Sequence, residues 1–254
     1  CLTSIWRPTG SNRCPGVACV TPVTPVDGGE ADKAAERTMK IERLDRIAKE
    51  INALDGGRAL PVAADAGKRA DLENLVAEAR KAFGPIHIVF NNAAAGVVYA
   101  HDGGLWANTD EVWKTAIDVN VLATWRLAEL TAQEMEAHGK GVIISVQSCG
   151  GFTPIPPAVA YGVSKAALAF LTRSLAKSQA PHTRVNALCV GSMSPDGQEA
   201  EIHKGLGLAE RNAIKRFGAA DEAVGAAILL ASDASSYTTG STVFVEGGRV
   251  GTIA

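Results

Sequence analysis

The chain has little charge of either sign to spare. Its 254 residues carry 25 Lys and Arg against 27 Asp and Glu, a formal net charge of -2. The basic residues are scattered rather than clustered, so no electrostatic footprint for a nucleic-acid partner is present. No apolar run approaches the roughly 18 residues that a membrane-spanning helix needs, and no basic amino-terminal region leads into an apolar core. These absences lead us to expect a soluble, cytoplasmic protein with no membrane partner. The five cysteines, Cys1, Cys14, Cys19, Cys149 and Cys189, form an odd set without CxxC spacing. They read as reduced thiols rather than a disulfide frame or a zinc site. The histidines show no HExxH spacing, and no metal is expected. Aromatic residues are sparse, and only 3 are tyrosines.

What is present is alternation. The spacing of apolar residues predicts a helix over Ile41 to Leu54, a short strand over Arg58 to Asp65, and an amphipathic helix over Lys68 to Phe83 ending at Gly84-Pro85. A buried strand follows, Ile86 to Phe90, then a long helix from about Asn108 to His138 and an apolar, β-branched strand from Gly141 to Ser148. Beyond it lie a helix over about Val159 to Ser178, a strand over Arg184 to Val190, and a polar, Gly-rich stretch from Gly191 to about Gly218. A last helix over Ala220 to Ser232 and a strand over Thr242 to Glu246 close the pattern. Strands alternating with helices build a parallel sheet with crossover helices on both faces. We therefore expect an α/β fold, a single-domain doubly wound sheet of Rossmann-like type spanning residues 1–254.

One of the tyrosines, Tyr161, stands four residues before Lys165 at the start of an alanine-rich helix. Residues four apart share a helix face, which sets a phenol beside an ammonium. A phenol titrates near 10 in water, and an adjacent cation favours the phenolate and brings that value down toward neutrality. Ser148 ends the preceding strand, and a hydroxyl at the carboxyl end of a parallel strand faces the crevice where open α/β sheets bind ligands. Such a hydroxyl could hold a substrate oxygen while Tyr161 exchanges the proton. A Tyr-x-x-x-Lys pair by itself is a weak signal, and Ser148 could equally be a strand-end cap, Lys165 a surface lysine.

The order of these residues, with Asn120 in Ile117-Asp-Val-Asn120-Val-Leu on the preceding helix, resembles the classical short-chain dehydrogenase/reductases over about residues 41 to 250. The resemblance implies an enzyme that interconverts a secondary alcohol and a ketone with NAD or NADP. Tyr161 would then be general acid or base, Ser148 would orient the substrate oxygen, and Lys165 would lower the Tyr161 pKa and contact the nicotinamide ribose. Asn120 would hold a water linking Lys165 to solvent. In the family Asn-Asn-Ala-Gly lies against the dinucleotide, and here the stretch is Asn91-Asn92-Ala93-Ala94. Asn92 and Ala93 thus become cofactor-binding candidates, as do Gly191 and Met193 of Val190-Gly191-Ser192-Met193, which aligns with the segment that touches the nicotinamide carboxamide. Asp65 matches the acidic residue near the adenine and reads equally well as a turn-forming Asp at a strand end. The family commonly forms tetramers through its two long central helices and last strand, so a homo-oligomer, tetramer or dimer, is implied.

The departure lies at the amino terminus. A dinucleotide site needs a strand, a Gly-rich turn and a helix whose first N–H groups face the pyrophosphate. The family turn reads T-G-x-x-x-G-x-G, and Thr9-Gly10-Ser11-Asn12-Arg13-Cys14-Pro15-Gly16 keeps Gly10 and Gly16 while Cys14 replaces the middle glycine. Arg7 and Pro8 spoil the strand before it, Pro22 and Pro25 spoil the helix after it, and no second strand is legible before Ile41. Residues 1 to about 34 read as an altered or misread first βαβ unit. Arg37 sits where an adenosine 2′-phosphate would be met, or is a solvated charge at a helix start. For the pocket, Phe152, Ile155, Met193 and Leu206 suggest a partly apolar carbonyl substrate, with residues 192–215 as a mobile lid. The rival reading is a dinucleotide-binding or scaffold protein whose catalysis is impaired by the degenerate glycine loop.

Overall fold

The structure, a computed structural model, describes residues 3–6, 17–20, 42–95, 104–198 and 207–250. Seven strands form one sheet in the order β3-β2-β1-β4-β5-β6-β9: β1 (Thr3–Trp6), β2 (Val17–Val20), β3 (Ala59–Pro61), β4 (Ile88–Asn91), β5 (Gly141–Ser148), β6 (Thr183–Val190) and β9 (Thr242–Val245). A two-stranded ladder of β7 (Met193–Ser194) and β8 (Gly218–Ala219) stands apart. The helices are α1 (42–52), α2 (Arg69–Phe83), α3 (Asp110–Ile117), α4 (Ala123–Ala137), α5 (Val159–Gln179) and α6 (Val224–Ala231). This is the doubly wound order.

The alternation along β5 shows why the sheet is covered on both sides. Val142 and Ile144 pack with Ile88, Leu188 and Leu230 on the α6 face. Ile143, between them, packs with Leu72, Leu75, Leu127, Met135 and Val185 under α2, α4 and α5. Successive side chains point to opposite faces, and a strand buried on both is mostly apolar. Gly141–Ser148 reads so apart from Ser145, Gln147 and Ser148, of which Ser145 and Gln147 are buried too, and β5 has the bounds the sequence predicts.

Two expectations need correction. A strand at Thr3–Trp6 and a second at Val17–Val20 exist where no adequate strand was legible, and the sheet is parallel except at β1, which runs against both β2 and β4. Only residues 7–16 join β1 to its neighbour β2. A parallel pair needs a crossover of a dozen or more residues, usually with a helix, so so short a join leaves the two strands antiparallel. The long helix expected over 108–138 is also not uniform: a π-helical turn, Asp118–Leu122, separates α3 from α4. Asn120 lies within that turn, and such turns recur at functional sites.

Candidate active site

The end of β5 and the start of α5 meet at unusually short range because two glycines leave room. A Cβ on Gly151 would lie 2.8 Å from the Lys165 carbonyl carbon, and one on Gly162 would lie 2.9 Å from the Gly150 carbonyl oxygen. A side chain at either would push α5 away from the turn after Ser148. Asn108 fixes the other side of the helix start: its Nδ2 donates to the Pro157 carbonyl at 3.2 Å and its Oδ1 accepts from the Ala160 N–H at 3.3 Å. The approach places Ser148 and Tyr161 on one cleft of about 300 Å³, together with Gly150, Ile155, Gly191, Ser192, Met193 and Leu208. Ser148 also caps the turn, its Oγ accepting from the Gly150 N–H at 3.2 Å, so the strand-end cap and the cleft-facing hydroxyl are one residue.

Lys165 is 2% exposed, and its Nζ donates to the Val146 carbonyl at 2.8 Å. The ammonium stands 5.7 Å from the centroid of the Tyr161 ring, so it is a buried cation at the phenol and not a surface lysine. Burial, which penalises the charged form, pushes its pKa down to about 8. Cys189 lies buried in β6 beside Cys149, and the hydrogen bond its thiol gives to Cys149, with burial, raises the Cys189 thiol well above its ordinary range. Both cysteines are free thiols.

Asn120 is completely buried, and both amide hydrogens and one lone pair of Oδ1 are committed. Oδ1 accepts from the Ala95 N–H at 2.9 Å, while Nδ2 donates to the Ala95 carbonyl at 2.9 Å and to Ser164 Oγ at 2.8 Å. The Ser164 hydroxyl in turn donates to the Tyr161 carbonyl at 2.7 Å. A water on Asn120 therefore has to use its backbone or the second lone pair of Oδ1. Ser164, Asn108 and the glycine contacts are the site features that the sequence reading missed.

On the nucleotide side, Asn92 is half-buried and Ala93 is buried, its N–H donating to Asn91 Oδ1 at 3.3 Å. Ala94 replaces the family glycine without strain, since Lys215 is the one non-glycine with positive φ among the described residues. Asp65 spends one carboxylate oxygen on the Gly67 N–H at 2.9 Å and holds the other 3.6 Å from Lys68 Nζ. It thus forms a local turn at the start of α2. A Cβ at Gly191 would meet Glu246 Cα at 2.8 Å, so only glycine fits between β6 and the end of β9. Phe152 does not line the cleft but packs on Phe244, ring centroids 5.1 Å apart. Gly10, Gly16, Arg37 and Leu206 lie outside the described residues, as does part of the expected 192–215 lid. Among the described residues no helix is long and apolar enough to cross a membrane.

A doubly wound sheet with a serine at a strand end, a Tyr-x-x-x-Lys helix beside it and a glycine where β6 leaves the sheet is the architecture of a dinucleotide-dependent oxidoreductase. Residues 34–249 match the family model described as enoyl-(acyl carrier protein) reductase. The chain is similar to dehydrogenase/reductase SDR family member 4 of Pongo abelii, 37% identical over 186 residues that cover 72% of this chain and 66% of that protein. Among solved structures it resembles a gluconate 5-dehydrogenase from Burkholderia cenocepacia J2315 in complex with NADP and tartrate. That likeness has a TM-score of 0.72 and 26% identity, over 92% of this chain and 86% of the other. A 7α-hydroxysteroid dehydrogenase complexed with NADH and 7-oxo glycochenodeoxycholic acid gives a TM-score of 0.72 and 27% identity, over 82% and 80%. The chain belongs to the short-chain dehydrogenase/reductase family of NAD- or NADP-dependent oxidoreductases.

Proposed function

We propose that this protein interconverts a secondary alcohol and a ketone, with Tyr161 as general acid and base. The observation that carries the reading is the meeting of Ser148 and Tyr161 on one cleft with the Lys165 ammonium buried at the phenol ring. The described residues fit the nicotinamide half of the cofactor. Lys165 has two ammonium hydrogens beyond the one given to Val146 for a ribose, and Gly191 to Met193 and Asn92 to Ala93 would offer backbone groups to the ring and its sugar. When bound, the cofactor supplies or takes up the hydride at the carbonyl carbon.

In the reducing direction Tyr161 gives its phenolic proton to the substrate oxygen as charge develops there, and Ser148 donates a hydrogen bond to that oxygen. The phenolate left behind is held by the Lys165 ammonium until a proton returns from solvent. In oxidation the same groups act in reverse. Asn120 acts through others, tying the Ala95 backbone to Ser164 and so to the start of α5. The cofactor choice rests on Arg37, which would suit a 2′-phosphate, and Asp65 would stand near the adenine; Gly10 and Gly16 would face the pyrophosphate.

The test follows the absorbance of reduced cofactor with a panel of ketones. Tyr161→Phe should lower kcat by about 10²- to 10⁴-fold, the usual contribution of a positioned proton donor, and turnover unaffected by it overturns the mechanism. The second reading, a dinucleotide-binding or scaffold protein with impaired catalysis, is favoured by one observation: residues 7–16, which carry Gly10 and Gly16, join two antiparallel strands rather than a strand and a helix. Calorimetric titration with NADH and NADPH separates the readings. Binding without turnover of any ketone supports the second.

A further inference from the structure

The cleft beside Tyr161 carries positive charge that no acidic residue of its described lining balances. Its described lining includes Arg211 and Arg249 and no aspartate or glutamate. Arg249 is 8% exposed, yet among the described residues its one hydrogen bond runs from Nη1 to Ser192 Oγ at 3.1 Å, and it forms no ion pair. The carboxylate of Glu246, three residues before it, makes no ion pair with Arg249 among the described residues: its Oε2 accepts from the Val250 N–H at 2.7 Å and from Cys149 Sγ at 4.0 Å, and the residue lines the neighbouring cavity that shares Gly191 to Met193. A guanidinium presents five N–H donors in a planar fork, and a buried one without a counter-charge is costly. Such a group is stabilised when an oxyanion completes it.

We infer that Arg249, with Arg211 at the more exposed wall, forms a subsite for an oxyanion on the substrate, so that the protein acts on a hydroxy or oxo compound bearing a carboxylate or a phosphate. This rests on the oxidoreductase reading above. Ser192 places the subsite: it sits between Gly191 and Met193 on the same cleft as Ser148 and Tyr161. The anion is thus held on the side of the reacting carbonyl where β6 leaves the sheet. A volume of about 300 Å³ is at the small end of ligand clefts and suits a short acid. The apolar wall from Ile155 and Leu208 takes its carbon chain, and the arginines take its charged end.

The test pairs each acid with its neutral counterpart: acetoacetate and 4-oxopentanoate against their methyl esters, and dihydroxyacetone phosphate against dihydroxyacetone. In the wild type the charged partner of at least one pair should have a kcat/KM about tenfold to a hundredfold higher, the range of a charge-assisted hydrogen bond. Preference within the keto-acid pairs identifies a carboxylate, within the last pair a phosphate. Arg249→Met should bring the ratio to about one, and Arg249→Lys, which keeps the charge and loses the fork, should lie between. Equal turnover of both partners by the wild type, or an equal loss on both in Arg249→Met, overturns the proposal. So does a rise confined to the cofactor KM, which would assign the arginine to the dinucleotide. Calorimetric titration with 4-oxopentanoate, acetoacetate and dihydroxyacetone phosphate separates the subsite from the chemistry. Binding lost in Arg249→Met supports it even if no ketone is turned over, and no binding of any of the three by the wild type overturns it.

Discussion

Asn120 holds both backbone groups of Ala95, accepting from its N–H and donating to its carbonyl, each at 2.9 Å. The pair joins the π-helical turn to the segment that leaves β4, and the remaining amide hydrogen passes the connection to Ser164 and the Tyr161 carbonyl. Removing the side chain leaves buried backbone groups of Ala95 unpaired. Asn120→Ala should therefore cost about 2–4 kcal/mol of stability, read by urea denaturation. Because Ala95 closely follows the expected cofactor-binding Asn92 and Ala93, the cofactor KM should rise as well. Asn120→Asp keeps the acceptor for the Ala95 N–H but sets a carboxylate against the Ala95 carbonyl, so it should restore less than half of the loss. Full stability in both variants would show that the clamp is dispensable.

Gly151 has no room for a side chain where the turn after β5 meets α5. With a Cβ 2.8 Å from the Lys165 carbonyl carbon and 3.1 Å from its Cβ, Gly151→Ala should destabilise by about 1–3 kcal/mol through overpacking. It should also lower kcat, since the displaced element carries both Tyr161 and Lys165. Gly139→Ala is the comparison: a Cβ there meets nothing within 4 Å, although its φ of +65 strains any side chain. That variant should lose some stability with kcat kept. If Gly151→Ala folds stably and retains kcat, the close approach is not what aligns the site.

The grouping of Ser148, Tyr161 and Lys165 was legible because its signals are local. Tyr161 and Lys165 share a helix face by spacing alone, and Ser148 closes a strand whose β-branched composition marks both of its ends. Asn108, Ser164 and the glycines act across 52, 44 and about a dozen residues, and no periodicity in sequence encodes such contacts. The π-helical turn inserts a single extra residue into a helical pattern, too little to disturb the apolar spacing on either side of it. β2 is four residues long and sits close to Pro15 and Pro22, which hid it from any composition window. Arg249 follows two glycines at a strand end, where a cation reads as solvated, and only the sheet shows it walled in by Ser192.

Lys165 gives a pH dependence with a defined sign. Its ammonium titrates at about 8 in the folded protein because of burial, against about 10.4 in an unfolded chain. Between those values the unfolded state binds more protons than the folded one, so stability rises with pH through that window. Below about 8 the cost of the buried ammonium, about 3 kcal/mol, is present in full. Compared with Lys165→Met, the wild type should therefore gain stability as pH rises from about 8 toward about 10, at no more than about 1.4 kcal/mol per pH unit. Urea denaturation of both proteins across that range measures it. A difference between them that is independent of pH would mean that Lys165 stays charged when buried, its cost met by a partner.

Trp125 on α4 and Phe170 on α5 are 48% and 68% exposed, large apolar side chains on the two central helices through which the family implies a homo-oligomer. Phe170 meets only the Arg173 guanidinium, 5.8 Å from its ring centroid, among the ring contacts of the described residues. A dimer or tetramer built on these helices would bury such rings, and aromatic residues are enriched where subunits meet. Phe170→Glu places a charge in that contact, where it would be desolvated without a partner, and on an isolated subunit the same change stays within about 0.5 kcal/mol. Light scattering should show the wild type as a dimer or tetramer and the variant as a smaller species with an unchanged circular dichroism spectrum. A monomeric wild type would remove the oligomer from the reading, and an unchanged assembly in Phe170→Glu would move the interface off α5.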